Sequence, residues 1–191
     1  MARPSVATVV LTWNGREDTL RCLETLRGEL APGDAVVVVD NASSDGTAAA
    51  VRAAHPWATL LETGANLGFA GGNNVGLRWA LERPFDWIFI LNNDTLVPAG
   101  TLGALAAFAA AAPAALGAVQ PLLVRADRPH VVDSAGQRVC RYPEAEDALM
   151  GEPVERAPRE AGPIFGACAA AALVRAAALR EVGLFDEALF T

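Results

Sequence analysis

The sequence predicts an α/β fold, a mostly parallel sheet flanked by helices, and three observations carry that expectation. Four apolar runs of strand length, at residues 6–12, 35–39, 59–62 and 87–91, are rich in β-branched or bulky side chains. Helix-like apolar spacing or helix-starting signals fill the stretches between them. Three of the four runs end in polar residues: Thr12 with Asn14, Asp40, and Asn92-Asn93-Asp94. In an open sheet of parallel strands those tips share one edge, where ligands bind.

The elements follow in order. Residues 6–12 (VATVVLT) form the first strand. Asn14 stands three residues before Glu17, the spacing of a capping box, and Leu20, Leu23, Leu26 and Leu30 then mark an amphipathic helix to about residue 29. Pro32-Gly33-Asp34 ends it, and residues 35–39 form a buried strand closed by Asp40. The turn formers of residues 41–47 precede a short helix to about Ala54, and residues 59–62 give a third strand. A glycine-rich loop, residues 64–74, leads into a helix over residues 75–81. Trp87 to Leu91 reads as a strand buried on both faces.

Beyond it, a helix begins near Pro98 and Thr101 and stops at Pro113. Residues 118–124 predict an edge or bulged strand, because Pro121 removes a ladder donor. Residues 131–132 and 138–142 predict a hairpin around Ser134-Ala135-Gly136, and residues 143–162 a long polar loop. Residues 165–174 predict a strand and 175–182 a short helix.

Composition narrows the function. At 191 residues the chain suits a single domain, 1–191, with a substantial core. Its net charge of −7 argues against a nucleic-acid partner. All fifteen basic residues are Arg, so lysine Schiff-base chemistry and a P-loop lysine are excluded. Cys22, Cys140 and Cys168 fall in no CxxC motif; each is expected as a small buried residue, in a reducing compartment. His55 and His130 are expected at the surface or in loops. The first residues carry no signal-peptide core, and the Ala-rich stretches 102–112 and 167–174 fall short of the roughly 20 residues of a spanning helix. A cytoplasmic setting is expected. Neither a GxGxxG after the first strand nor a GxSxG elbow is present, so dinucleotide-binding and hydrolase readings are poorly supported.

At the strand tips, Asp40 can accept hydrogen bonds from a base or ribose, or serve the turn at Ser43-Ser44. Asp94 can hold a divalent ion bridging two phosphate oxygens, or cap the following helix. The glycine loop can cradle a ligand or only connect strand to helix.

The ordered segments VVLTWN (9–14), VVVVDNASSDGT (36–47), NLGFAGGNNVGL (66–77), FILNNDTLV (89–97), FGACAAAALVRAAAL (165–179) and EVGLFDEALF (181–190) resemble the family 2 glycosyltransferases, notably their rhamnosyltransferase-like bacterial branch. The resemblance implies the GT-A fold, a Rossmann-like nucleotide-diphospho-sugar transferase sheet. It also implies inverting transfer from a nucleotide-diphospho sugar, dTDP-rhamnose favoured, with Mn2+ or Mg2+. By that match Thr12 and Asn14 line the base pocket, Asp40 reads the nucleoside, and the loop of Asn66, Gly71 and Asn73 closes over the donor. Asn92, Asn93 and Asp94 stand at the family's DXD motif, with Asn92 replacing the first carboxylate, so Asp94 carries the metal contact. Gly166, Ala167 and Cys168 wall the acceptor side.

The implied acceptor is a cell-wall glycan or lipid-linked glycan, reached by peripheral association with the inner face of the plasma membrane. The family's general base is expected beyond Thr191, so that the chain lacks the C-terminal part of the family domain. Asp186 and Glu187 match the preceding, structural FDE element. A chain without that base is alternatively a non-catalytic module that binds a nucleotide sugar or a partner.

Overall fold

The computed structural model describes residues 3–140 and 144–189. Its first half alternates as expected: β1 (Val6–Thr12), α1 (Arg16–Arg27), β2 (Ala35–Asp40), α2 (Thr47–Ala54), β3 (Thr59–Glu62), α3 (Gly68–Leu81), β4 (Trp87–Asn92) and α4 (Thr101–Ala111). The second half has short strands: β5 (Ala118–Val119), β6 (Leu123–Arg125), β7 (Arg128–Ser134), β8 (Gln137–Val139) and β9 (Ala145–Asp147). A 3₁₀ turn (Val154–Arg156), β10 (Ala171–Arg175) and α5 (Ala176–Val182) complete it.

The main sheet has the order β3–β2–β1–β4–β10–β5, with β3, β2, β1 and β4 parallel and β10 antiparallel to both its neighbours. Strand alternation sorts its side chains onto two faces. Val6, Val10, Val36, Val38, Trp87, Phe89 and Leu91 pack with Cys22, Leu23 and Leu26 of α1, Val51 of α2 and Leu102 and Leu105 of α4. Ala7, Val9, Val37, Val39, Ile88 and Ile90 pack with Leu77 and Ala80 of α3 and Ala176 of α5. Covered on both faces, the sheet explains why its strands read as unbroken apolar runs.

Several elements differ from expectation for identifiable reasons. The glycine-rich segment is mostly helix, α3 starting seven residues before residue 75. Gly72 and Gly76, one turn apart, face the sheet. A Cβ on Gly72 would lie 2.5 Å from Leu11 Cδ1 and 3.1 Å from Asn41 Nδ2, and one on Gly76 would overlap Val9 Cγ1. These glycines serve close helix–sheet approach, which outweighs the roughly 0.5–1 kcal/mol that a helical glycine costs relative to Ala.

The expected hairpin over residues 131–142 takes other partners: β7 pairs with β6, and β8 with β9. Residues 141–143 lie outside the described residues, as do 190 and 191. Pro121 separates β5, an edge strand, from β6. The stretch expected as a long loop contains β9 and the 3₁₀ turn, and β10 begins only at Ala171. Asn14 does not cap α1; the cap position is Gly15, without a side-chain bond, and Asn14 holds a positive φ of 52°. His55 is buried at the end of α2, edge-on to Trp57 at 5.7 Å. Cys22 is buried as expected, whereas Cys140 and Cys168 are half-buried.

Candidate active site at the strand tips

Parallel pairing lines the polar tips along one rim. Thr12 is in register with Asp40, and Leu11 with Asn92. With strands about 4.8 Å apart, the tips of β2 and β4 stand about 10 Å from each other across β1.

At the β2 tip, Asp40 is 2 % exposed. Its Oδ2 accepts the Ser43 backbone N–H at 3.1 Å, so part of the turn role is realised. Its Oδ1 is buried and has no partner among the described residues. A buried acceptor left unmatched costs about 1–3 kcal/mol, more when charged. Asp40 therefore keeps one buried acceptor oxygen unmatched beneath the rim.

The β1 tip is tied down from both sides. Asn14 Oδ1 accepts the Ser44 N–H at 2.7 Å, and the Asn14 N–H donates to Ser43 Oγ at 2.9 Å. The buried Thr12 hydroxyl bonds that of Thr19 at 2.8 Å. Asn93 Nδ2 donates to Thr19 Oγ1 at 3.1 Å and to the Gly15 carbonyl at 3.4 Å. Asp45 accepts the backbone N–H groups of Arg16 at 3.1 Å and Thr47 at 3.0 Å and the Thr47 hydroxyl at 2.5 Å. The Thr47 hydroxyl holds its carboxyl below the usual aspartate range, against a small desolvation effect.

At the β4 tip the pattern reverses. Asn92 and Asp94 both line a cavity beside the strand end, while Asn93, between them, points to α1. The side chains of Asn92 and Asp94 make no hydrogen bond among the described residues, and Asp94 is exposed. Neither caps α4, whose cap position is Gly100. Beneath the tip, burial pushes the Cys22 thiol up to about 11, against a hydrogen bond with Thr95 and with a small addition from the Asp94 charge. Cys22 is thus a neutral plug with no nucleophilic part.

No group of three or more His, Cys, Asp or Glu side chains gathers among the described residues. The donor set nonetheless fits a hard divalent ion, Mn2+ or Mg2+. Such ions accept one or two protein carboxylates when phosphate oxygens and water complete the shell, and Asp94 keeps its oxygens free for that.

The other expected donor residues sit differently. Asn66 Oδ1 accepts Asn41 Nδ2 and the Gly68 N–H, both at 2.9 Å, forming the turn that starts α3. Gly71 and Asn73 are buried within α3, and Asn73 Nδ2 donates to the Phe69 carbonyl at 3.0 Å. The segment expected to close over the donor is mostly packed helix, and Asn73 Oδ1, like Asp40 Oδ1, is buried without a partner among the described residues. Gly166 and Cys168 are pinned by neighbours: Gln137 N–H donates to the Gly166 carbonyl at 2.8 Å, and the Cys168 N–H to Gln120 Oε1 at 2.5 Å. Ala167 lies half-buried between them. Gln120 is itself held by Ser134, whose hydroxyl donates to Asp147 at 2.6 Å. Glu187 accepts Asn74 Nδ2 at 2.9 Å and Arg78 at 2.6 Å, consistent with a structural FDE element.

Sequence reading missed Thr19, Asn41 and Gln120. Thr19 was detectable as the polar residue on the stripe continued by Leu23 and Leu26. Asn41, which accepts the Leu67 N–H at 3.0 Å, was hidden in a cluster of turn formers.

A doubly covered, mostly parallel sheet, reversing order between β1 and β4 with polar tips at the reversal, belongs to the GT-A class of glycosyltransferases. The mannosyltransferase PcManGT of Pyrobaculum calidifontis, solved with GDP-Man and Mn2+, superposes with a TM-score of 0.66 at 28% identity, covering 98% of this chain and 49% of that one. TarS of S. aureus shares the fold at a TM-score of 0.64 and 20% identity, covering 98% of this chain and 52% of that one.

The chain belongs to glycosyl transferase family 2, whose sequence profile matches residues 8–183. It is 32% identical over 177 residues to the N-acetylglucosaminyl-diphospho-decaprenol L-rhamnosyltransferase of Mycobacterium tuberculosis, covering 81% of this chain and 56% of the relative. To galactofuranosyltransferase GlfT1 of the same organism it is 29% identical over 189 residues, covering 97% and 60%. The chain thus spans little more than half the length of these relatives.

Proposed function

We propose that residues 1–191 carry the donor-binding part of a family 2 domain that transfers a sugar, rhamnose, from a dTDP-linked donor to a lipid-linked glycan in cell-surface polysaccharide synthesis. The observation that carries the donor reading is the pairing of an unmatched Asp40 oxygen with the unbonded Asn92 and Asp94 side chains, two strands apart on one rim. The choice of rhamnose and of a lipid-linked acceptor rests on the rhamnosyltransferase relative.

In this reading Asp40 accepts from the nucleoside, while the Thr12, Thr19 and Asn93 contacts fix the β1 tip beneath it. Asp94 holds a divalent ion, with the Asn92 amide beside it. When bound, such an ion would supply positive charge to the diphosphate that Asp94 faces. Transfer with inversion forms the acceptor-oxygen bond to the anomeric carbon as the bond to phosphate breaks, and the hydroxyl proton passes to a general base. The base is assigned to none of the described residues. The work takes place on the cytoplasmic side, by peripheral contact with the membrane; among the described residues no helix is long and apolar enough to cross one.

Calorimetric titration of dTDP with and without Mn2+ tests the donor reading. Affinity should rise with Mn2+, and Asp94→Ala should remove the rise. Equal Mn2+ dependence in the variant refutes the metal assignment.

A further inference from the structure

A cavity of about 700 Å³ opens between the β4 tip, the N-terminal end of α4 and the β6–β7 hairpin. It meets the site described above only at Asn92 and Asp94; neither the β1 and β2 tips nor residues 166–168 line it. Its outer walls are Leu96, Pro98, Pro121, Leu122, Val124 and Pro129. Leu96, Leu122 and Val124 are 49 %, 42 % and 39 % exposed, so three large apolar side chains gather without burial. Clustered exposure of that kind marks a surface that is covered in use.

We propose that this cavity receives the hydrocarbon tail of a lipid-linked acceptor. The inference rests on the donor reading of the β4 tip and takes its direction from it. With the nucleoside at β2 and the diphosphate at β4, the donor runs along the rim from β2 toward β4. The acceptor then approaches from the far side of β4, where β10 and the hairpin stand. A sugar ring needs convergent hydrogen-bond partners on most of its edges, whereas these walls are largely side-chain carbon. A hydrocarbon chain needs none. The volume also lies within the roughly 300–1,000 Å³ range of small-molecule sites. The polar groups of the lining are Asp94 and Asn92 at the β4 tip, Thr95, Thr101 and Asp133, and Arg125 with Asp127 at the hairpin tip.

Farnesyl diphosphate, inorganic diphosphate and dTDP, each titrated with Mn2+ against the full chain, separate tail from head. Farnesyl diphosphate should bind at least about ten-fold tighter than inorganic diphosphate. The double variant Leu122→Asp, Val124→Asp should erase that difference and leave dTDP affinity unchanged. Should circular dichroism show that this variant does not fold, the double variant Leu122→Ser, Val124→Ser reads the same quantity at exposed positions. Equal affinity for the two diphosphates overturns the proposal, as does a folded variant that keeps the tail preference. So does tail binding that disappears in the longer protein, which means another segment fills the cavity. Failure of dTDP to bind the unaltered chain refutes the donor reading instead, because the tail preference is a ratio that does not contain it.

Discussion

The two ends of the rim are built on opposite plans. At the β1 and β2 tips, Thr12, Asn14 and Asp40 bond to neighbours in the chain, with Asn93 reaching over from β4 to Thr19, and one Asp40 oxygen is left over. At the β4 tip, the side chains of Asn92 and Asp94 make no hydrogen bond among the described residues. The first end is organised before any ligand arrives and recognises shape. The second leaves its side chains unsatisfied, and in the proposed reading an ion and phosphates would order them. The contrast teaches that the residues most bonded in the free chain hold the rim in shape, and those least bonded are the ones the proposed function gives to the ligand.

The largest expected effect lies at the unbonded end. Asp94→Ala should weaken Mn2+-supported dTDP binding by about 100-fold or more while leaving the thermal midpoint within about 1 °C, because an exposed, unpartnered carboxylate contributes little to folding. A large loss of stability would erase the contrast.

Next comes Asp40→Asn. The amide oxygen keeps the Ser43 contact, and the amide NH2 replaces the buried acceptor that has no partner. Urea unfolding should show stability equal to or up to about 1 kcal/mol above the parent, and titration a loss of about ten-fold in dTDP affinity. A variant that loses stability and keeps affinity would assign Asp40 to structure alone.

Asn93→Ala should do the opposite of Asp94→Ala. It removes donors shared by Thr19 and Gly15, so stability should fall by about 1 kcal/mol, with only a few-fold loss of nucleotide affinity.

The smallest effect concerns Asp45, whose folded pKa is lowered by the Thr47 hydroxyl. A depressed folded pKa means that its contribution is complete above 3.8 and is lost as pH falls through the lower folded value. The stability gap between the parent and Asp45→Asn should be level at neutral pH and shrink only below about pH 4. A gap that shrinks near neutrality would place the ionisation elsewhere.

Much of this contrast was legible in the sequence. β1, β2 and β4 are buried on both faces, so their residues announce themselves as apolar runs, and their polar ends mark the rim. The region after α4 was harder to read because short strands of three or so residues carry little periodicity. β7 was assigned to β8, its neighbour across Ser134-Ala135-Gly136, when each pairs outward. In the 64–74 segment, turn formers and helix-packing glycines are the same residue. Only the third dimension tells that Gly72 and Gly76 face Leu11 and Val9. Asn73 looked like a ligand-facing amide for the same reason, since sequence gives an amide's presence and not its direction.

The antiparallel run of β10 has a consequence for how such a chain can change. Because β10 enters the sheet from the rim, the residues before it reach the β4 tip from outside, and Ala170 closes directly on Asn92 at 2.9 Å. In the proposed reading, donor-side residues leave strands at the rim and acceptor-side residues arrive there. The two halves are therefore carried on separate loops with separate roots. Exchange of the 120–170 stretch between relatives should pass on a new acceptor preference while the inherited nucleotide preference stays behind, a modular division set by the direction of one five-residue strand.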